Sequence, residues 1–285
     1  MIRELTFVVK YIMGEDIAGP NIMVFPDDTF LVSHPRSGNT WVRFLLANLI
    51  HPDAPVTFDA VERIIPDTTA QSRRFFKRLP RPRFIKSHQY FDPRFKRVIY
   101  VVRDPRDVCI SYYHFQRKYR FIEDGYPMER FVERFVNSDA SDFGSWGEHV
   151  ASWVAARYDS AGFLLIRYED LVSETVRELG RIASFLGIAA DEWRLAQAIE
   201  RSSADVMRRQ EKLEQDTWVA TRGRRKEIPF IGPATPGRWK SEMPDASVAL
   251  IESAWGPLMR ALQYELTTRD CAPLQPPFVA AAGSG

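Results

Sequence analysis

The stretch FLVSHPRSGNTWVRFLLANLI, residues 30–50, places polar side chains directly after a short apolar run. The pattern predicts a strand over residues 30–33, a tight turn over 35–41 and then an amphipathic helix. The first N–H groups of a helix have no intrahelical partner and the helix dipole is positive there, so such a turn suits an anion. The turn could supply backbone access, charge, donors and a flat apolar face through Gly38, Arg36, Ser37, Asn39, Thr40 and Trp41.

This turn differs from two well-known motifs. A Walker A loop ends in Gly-Lys-Ser/Thr, whereas Gly38 is followed here by Asn39. A Gly-x-Ser-x-Gly nucleophile elbow needs a glycine two positions before Ser37, where this chain has Pro35. An anion cradle remains, and the alternative is a capped helix with Trp41 in the core.

Three further strands are predicted at residues 84–86, 98–102 and 163–166, and helical patterns separate them. Strands that alternate with helices predict a single α/β domain with a mostly parallel sheet that is covered on both sides. His88, Arg103 and Tyr168 each follow one of these strands. Because the carboxyl ends of parallel strands share one edge, we expect these residues to meet the 35–41 turn there.

His88 is a candidate general base. No two of the five histidines have the spacing of metal ligands, so no metal is expected. A neutral imidazole can accept a proton from a hydroxyl, and Lys86, two residues earlier, could stabilise negative charge on a transferred group. A purely structural histidine is the alternative.

Arg103 and Ser111 could bind a phosphate together. A helix that begins near Pro105 could bring Ser111 back over the end of the strand before Arg103. The alternative is that Arg103 pairs with Asp107 and Ser111 faces a neighbouring helix. The residue types do not distinguish the two.

The composition is that of a soluble globular protein: 285 residues, 45% apolar, 27% charged and a net charge of +2. This charge is too small to indicate nucleic acid. Cys109 and Cys271 lack metal or redox spacing, so a reduced, cytoplasmic setting is expected. No apolar run reaches the ~18 residues of a membrane span. Glu4 and Lys10 interrupt the apolar opening, so no signal peptide is expected.

Several blocks in order resemble the cytosolic-type sulfotransferases, of a bacterial type, that use 3′-phosphoadenosine 5′-phosphosulfate (PAPS) and release 3′-phosphoadenosine 5′-phosphate (PAP). HPRSGNTWVRFLL is similar to the loop for the 5′-phosphosulfate, FIKSH to the segment of the catalytic histidine, and RVIYVVRDPRDVCISYYHF to the segment for the 3′-phosphate. Later blocks are FGSWGEHVASW, LLIRYEDLVSETVRELGRIASFLGI and GRWK. The resemblance implies a P-loop-nucleotide-kinase-like sulfotransferase fold, with an N-terminal segment at 1–29, the domain at 30–265 and a flexible tail at 266–285.

The resemblance also implies roles for individual residues. His88 would deprotonate the acceptor, while Lys86 and Arg36 would stabilise the bridging and sulfonate oxygens. The N–H groups of residues 38–41 would hold the 5′-phosphate. The adenine contacts would be Trp41, Tyr168 and Ser203, with Ser202 beside it, and the 3′-phosphate contacts would be Arg103 and Ser111.

Two departures from the family pattern are visible. Many members have lysine where this chain has Arg36, and arginine keeps its charge but cannot donate a proton, so its help must be electrostatic. The Arg-Lys-Gly that precedes the last glycine of the C-terminal cofactor loop reads Gly-Pro-Ala at 232–234. Arg224, Arg225 and Lys226 are candidates to replace it.

The resemblance and the residues together predict in-line transfer of a sulfonate group to the hydroxyl, or an amine, of a small molecule. Aromatic residues near the site suggest an acceptor with apolar or aromatic surface; they are Tyr90, Phe91, Tyr112, Tyr113 and Phe115. One alternative is a P-loop-type phosphotransferase that uses ATP and magnesium. The other is a non-catalytic polyanion-binding module built on the basic runs at 73–83 and 222–226. A homo-oligomer stays open, because the family's short dimer motif has no clear copy.

Overall fold

The computed structural model describes residues 13–267. Its centre is a four-stranded sheet in the order β2-β1-β3-β4, in which every neighbouring pair is parallel. The predicted α/β class is confirmed, and each predicted strand is present to within a residue at either end. The strands are β1 Thr29–Val32, β2 Phe84–Ser87, β3 Arg97–Val102 and β4 Phe163–Arg167.

The register of the sheet brings the four carboxyl ends to one edge. Val32 at the end of β1 pairs with Ser87 of β2 and with Tyr100 of β3, and Val102 of β3 pairs with Arg167 of β4. The residues that follow each strand therefore emerge side by side, because parallel strands run in the same direction.

Helices lie on both faces of the sheet, as βαβ crossovers require. They are α1 Asn39–Ile50, α2 Phe58–Ile64, α3 Arg73–Arg78, α4 Pro105–Lys118, α5 Met128–Val136, α6 Trp146–Arg157, α7 Tyr168–Ser173, α8 Thr175–Leu186, α9 Glu192–Arg201, α10 Ala204–Glu214, α11 Trp239–Glu242 and α12 Asp245–Ala261, after a short 3₁₀ turn at Gly19–Asn21.

Two apolar cores sandwich the sheet. Phe30 and Val32 of β1 pack into one core together with Trp153 of α6, whereas Leu31 points to the other face and packs with α1. All four residues of β1 are buried, as expected for a central strand covered on both sides. The sheet is thus a rigid platform for the residues at its carboxyl edge.

The sequence of helix α8 predicts one apolar face, formed by Val176, Leu179, Ile182, Ala183 and Leu186, and a C-terminal cap at Gly187. Leu179, Ile182 and Ala183 are buried, and Gly187 ends the helix with φ +71°, a left-handed cap that suits glycine. The prediction was wrong for Val176, which is 54% exposed. This residue lies in the first turn of the helix, and the buried apolar face begins only with Leu179 in the second turn.

The glycine- and proline-rich sequence predicts irregular structure over residues 213–245. Residues 215–238 form turns and bends, whereas Trp239–Glu242 is a short helix. The sequence also predicts a closing helix at 248–262, and the observed helix α12 begins slightly earlier, at Asp245. The opening residues 1–12, most of the predicted tail at 266–285 and Cys271 lie outside the described residues. Between residues 13 and 267, no helix is both long and apolar enough to cross a membrane.

Candidate active site

A cavity of about 680 Å³ opens at the carboxyl edge of the sheet. Residues that follow each of the four strands line it together. The convergence predicted from the sequence is therefore present. The predicted site residues in its wall are Arg36, Gly38, Asn39, Thr40, Trp41, Lys86, His88, Arg103, Ser111, Tyr168 and Arg224.

The turn before α1 presents free backbone donors. Gly38 is the N-cap residue with φ +97°, and no side chain caps the helix. The N–H groups of Gly38, Asn39 and Thr40 make no hydrogen bond with another described residue. A Cβ on Gly38 would lie 2.4 Å from Cδ2 of Tyr168, so glycine is needed both for the backbone conformation and for this close approach.

The side chains of Ser37 and Asn39 point into the protein. Ser37 is fully buried and is absent from the cavity wall, and its Oγ has no partner among the described residues. The Asn39 amide donates to Oγ of Ser33 at 3.2 Å, while its Oδ1 has no partner within residues 13–267. The donors that this turn offers to the cavity are thus mainly backbone N–H groups.

Arg36 lies deep in the cavity wall. Its Nε donates to Oγ of Ser111 at 3.2 Å and its Nη2 donates to the carbonyl of Phe230 at 3.0 Å. The guanidinium lies 5.2 Å and 4.7 Å from the ring centroids of Phe115 and Phe230. Burial lowers the pKa of Arg36 to about 10, which still leaves it charged at neutral pH.

His88 is held as a neutral base. Its Nδ1 lies 2.7 Å from the carbonyl oxygen of Ser33, which can only accept, so Nδ1 carries the proton and Nε2 keeps its lone pair. Burial, and then the charge of Lys86, hold the pKa of His88 well below 6.5. The ring lines the cavity beside Phe143, at a centroid distance of 5.5 Å.

A second histidine fixes the backbone at this base. Nε2 of His149 donates to the carbonyl of His88 at 3.0 Å, and the Tyr100 hydroxyl donates to Nδ1 of His149 at 2.8 Å. Burial lowers the pKa of His149 to about 4, so it also stays neutral. The sequence offered no signal for this chain of hydrogen bonds.

Lys86 contacts a carboxylate that the sequence analysis missed. Its Nζ forms a short ion pair with Oδ2 of Asp67, and both side chains are nearly buried. Asp67 lies in the irregular segment between α2 and α3, upstream of β2. Because it belongs to no helix or strand, no periodic pattern in the sequence indicates it. Thr69 donates to Asp67 Oδ1 through its N–H and its hydroxyl, each at 2.8 Å.

Arg103 has few protein partners. Its Nη2 reaches Asp107 only at 3.5 Å, its buried Nε has no partner among the described residues, and its guanidinium lies 4.4 Å from the Tyr168 ring centroid. The alternative pairing of Arg103 with Asp107 is therefore present only as a weak contact, and Ser111 contacts Arg36 at the cavity wall. Phosphate binding by Arg103 and Ser111 stays a prediction.

Asp107 connects the C-terminal loop to this edge. Its carboxylate accepts from the N–H of Gly237 at 2.7 Å and of Trp239 at 3.1 Å. Arg238, between these two residues, lines the cavity and also pairs with Glu242. The GRWK block thus brings a cation that the sequence analysis did not assign.

Ser203, Arg225 and Lys226, like Ser37, are predicted site residues that do not line the cavity. Ser203 is exposed at the start of α10, and its neighbours Ala204 and Met207 line the wall instead. Arg225 pairs with Asp124 at 2.5 Å, and Lys226 pairs with Asp216 at 2.7 Å.

Aromatic side chains form a large part of the cavity wall, and one of them, Phe143, lies beside His88. Of the aromatic residues predicted to shape it, Tyr112 and Phe115 line the cavity, whereas Tyr90, Phe91 and Tyr113 do not. Aromatic residues from other segments complete the wall, namely Tyr119, Phe121, Phe143, Trp218 and Phe230.

Comparison with known proteins identifies the family of the chain. The sulfotransferase domain family matches residues 26–263. The chain belongs to the sulfotransferase family. Sulfotransferase 1C2 of Oryctolagus cuniculus is 28% identical over 240 residues, which cover 76% of this chain and 77% of that protein. Sulfotransferase 1 family member D1 of Mus musculus is 30% identical over 234 residues, which cover 76% and 78%.

Solved structures share the fold of this sulfotransferase. The crystal structure of mouse sulfotransferase SULT7A1 complexed with PAP has a TM-score of 0.69 and 25% identity, and the match covers 87% of this chain and 91% of that one. Retinol dehydratase in complex with androsterone and PAP has a TM-score of 0.69 at 18% identity, with 88% and 84% covered, and it shows the fold. The protein is therefore an enzyme that transfers sulfonate groups.

Proposed function

We propose that this sulfotransferase takes the sulfonate group from PAPS and transfers it to the hydroxyl of a small acceptor with apolar or aromatic surface. The observation that carries the proposal is His88, a neutral imidazole in the cavity wall whose Nδ1 proton is bound to Ser33 and whose Nε2 is unpartnered among the described residues. The mouse SULT7A1 structure, which contains PAP, supports this choice of donor.

The residues at the sheet edge fit a nucleotide with two anionic groups. The free N–H groups at the start of α1 suit the 5′-phosphate. Arg103, whose buried Nε has no partner in the described part of the chain, and Ser111 suit the 3′-phosphate. Trp41 and Tyr168 offer apolar surface to adenine, and their rings lie edge to face with centroids 5.8 Å apart. PAPS bound there supplies the sulfonate group and leaves as PAP.

The chemistry of this chain's residues then follows from their positions. Nε2 of His88 takes the proton of the acceptor hydroxyl as the oxygen attacks in line, so the new O–S bond forms as the bond to the leaving phosphate breaks. Lys86 and Arg36 stabilise the negative charge that builds up on the transferred and bridging oxygens. Arg36 acts by its charge, since it stays protonated.

The aromatic wall favours the acceptor class. Tyr112, Phe115 and Phe143 give the cavity an apolar surface, with the Phe143 ring centroid 5.5 Å from that of His88, and this surface would pack against a phenol or another hydroxyl compound with a flat apolar body. The polyanion-binding alternative gains no support from the run at 73–83, because four of its six cations form ion pairs: Arg73 with Asp16, Arg74 with Glu15, Arg81 with Asp27 and Arg83 with Asp28.

The test combines binding and transfer. We expect PAP to stabilise the protein against heat without metal, and more than ATP with magnesium does. We expect His88→Ala to bind PAP as the wild type does but to lose about 10²- to 10⁴-fold in transfer of labelled sulfate to 2-naphthol. His51→Ala, at an exposed histidine outside the cavity, is the control.

Two outcomes would contradict the proposal. A preference for ATP with magnesium would favour phosphoryl transfer. Undiminished sulfate transfer by His88→Ala would remove the imidazole from the mechanism.

A further inference from the structure

Asp67 is the one carboxylate in the described chain that is ion-paired to Lys86. It lies in the segment between α2 and α3, and it is 7% exposed in the wall of the cavity. Any role of Asp67 in transfer rests on the proposed function, because Lys86 and His88 belong to the transfer step.

The backbone places Asp67 beside Lys86. The N–H of Lys86 donates to the carbonyl of Pro66 at 2.9 Å, and the N–H of Thr68 donates to the carbonyl of Lys86 at 3.0 Å. These two bonds form a parallel bridge between Asp67 and Lys86 at the outer edge of β2. The backbone pairing thus places the carboxylate next to the ammonium, so the ion pair does not depend on the side-chain conformations alone.

The carboxylate itself is held in one orientation. Oδ1 accepts two bonds from Thr69, which leaves Oδ2 for Nζ of Lys86. A buried carboxylate and a buried ammonium each need a partner, because an unpaired charge is costly to remove from water. The pair therefore holds Lys86 in place at the cavity wall.

Lys86 and Asp67 have opposite effects on His88. Burial and the Lys86 ammonium lower the pKa of His88, and the Asp67 carboxylate raises it. His149 of α6 also lies close to His88, and it is neutral at pH 7 because burial lowers its own pKa to about 4. Asp67 is hence the negative charge that counters Lys86 at the base.

We propose that Asp67 is a positioning residue for sulfonate transfer: it holds the Lys86 ammonium at the cavity wall and offsets the charge of that ammonium at His88. The Lys86 ammonium is then already positioned at the cavity wall when the transferred group binds. The nearby imidazole keeps more of its basicity than it would beside an unbalanced lysine.

The cavity provides a matched control. Glu62 is also a buried carboxylate in the cavity wall, but it pairs with Arg43 of α1 at 2.9 Å and not with Lys86. Asp67→Asn and Glu62→Gln each replace a buried carboxylate by the isosteric amide. Only the first removes the charge that is paired with Lys86.

Three measurements test the proposal. For Asp67→Asn we expect kcat for labelled sulfate transfer to 2-naphthol to fall on the order of 10- to 100-fold. We expect the affinity for PAP, which lacks the sulfonate, to change by less than about threefold. NMR titration of the histidine rings in the nucleotide-free protein should give a lower pKa for His88 than in the wild type, whereas Glu62→Gln should leave that pKa unchanged. Asp67→Glu, which keeps the charge, should recover part of kcat.

The contrary results are distinct from a failure of the proposed function. A wild-type protein that neither binds PAP nor transfers sulfate would refute the function, and the NMR titration would still test the charge effect. An unchanged His88 pKa in Asp67→Asn, or the same shift in Glu62→Gln, would overturn the role of Asp67.

Should Asp67→Asn fail to fold, Lys86→Met is compared with the double variant Lys86→Met/Asp67→Asn, which carries no unpaired charge from this pair. The double variant should again have the lower His88 pKa, and equal values would refute the proposal.

Discussion

The two ring nitrogens of His88 have different environments, and this difference decides the chemistry that the residue can perform. Nδ1 is fixed to the Ser33 carbonyl at 2.7 Å, and Nε2 keeps its lone pair. Because burial and Lys86 hold the pKa of His88 below 6.5, the basic form persists at mildly acidic pH. We therefore expect the acid limb of the pH profile of kcat/KM to lie below pH 6.5.

This prediction is checked by measuring kcat/KM for sulfate transfer to 2-naphthol between pH 4.5 and 8, in ranges where the protein remains folded. The sign follows from the base being active when deprotonated, so a lowered pKa moves the loss of activity to lower pH. An acid limb above pH 7 would contradict a lowered pKa of His88.

Gly38 is the residue at which a single methyl group should matter most. Alanine there would place Cβ 2.4 Å from the Tyr168 ring and would occupy a backbone conformation with φ +97°. Strain of this kind costs about 1–3 kcal/mol, and it would displace the ring or the free N–H groups. We expect Gly38→Ala to weaken PAP binding about tenfold or more, measured by calorimetry.

The control for Gly38→Ala is Gly125→Ala. A Cβ on Gly125 would meet no atom within 4 Å, and this residue lies outside the cavity wall. If both variants bound PAP as tightly as the wild type, the close contact between the turn and Tyr168 would have no bearing on the nucleotide.

Among the larger elements, the irregular segment from 215 to 238 is held by side chains from regular helices. Glu211 of α10 accepts from the N–H groups of Phe230 and Ile231 at 2.6 and 2.9 Å. Lys118 at the end of α4 donates to the carbonyls of Arg225 and Ile228 at 2.8 and 2.6 Å. Buried charged groups thus satisfy backbone atoms that no sheet or helix satisfies.

This support gives two neighbouring arginines different roles. Arg224 lines the cavity with its guanidinium 4.3 Å from the Tyr119 ring centroid, whereas Arg225 is turned to Asp124 and Glu227. A charge-assisted contact is worth about 1.5–3 kcal/mol. We expect Arg224→Ala to weaken PAP binding about tenfold and Arg225→Ala to change it less than about twofold, by calorimetry.

The triple variant Arg224→Ala/Arg225→Ala/Lys226→Ala provides the stricter test of the same segment. If its affinity for PAP equalled that of the wild type, the basic run would not replace the absent Arg-Lys-Gly, and Arg238 would be the next cation in the cavity wall to examine.

For the molecule as a whole, buried neutral histidines should make stability depend on pH. Burial holds the pKa of His34 at about 3 and that of His149 at about 4, against about 6.5 in an unfolded chain. Between pH 6.5 and 4 the unfolded chain therefore binds protons that the folded protein does not, and stability falls as the pH falls. His149 alone accounts for about 3 kcal/mol over this window.

Urea unfolding at pH 7.5 and pH 5 measures this effect. We expect the wild type to lose stability at pH 5 and His149→Gln to lose less between the two pH values, although this variant starts from a lower stability. An equal decrease in both proteins would mean that His149 is not the source of the pH dependence.

The amino-acid sequence was sufficient to predict the sheet and the location of the site. The four strands are short apolar runs, a local property, and the polar residue after each of them had to reach one edge once the strands were parallel. Arg36, His88, Arg103 and Tyr168 could therefore be assigned to a common cavity from their positions in the chain.

The pairing of individual side chains, in contrast, was settled by tertiary contacts. Asp67 meets Lys86 through a single backbone bridge, and Arg224 faces the cavity while Arg225 does not. These facts depend on contacts between segments far apart in the chain and on the path of irregular backbone. Neither leaves a periodic pattern in the sequence, because periodicity reports only the regular elements to which a residue belongs.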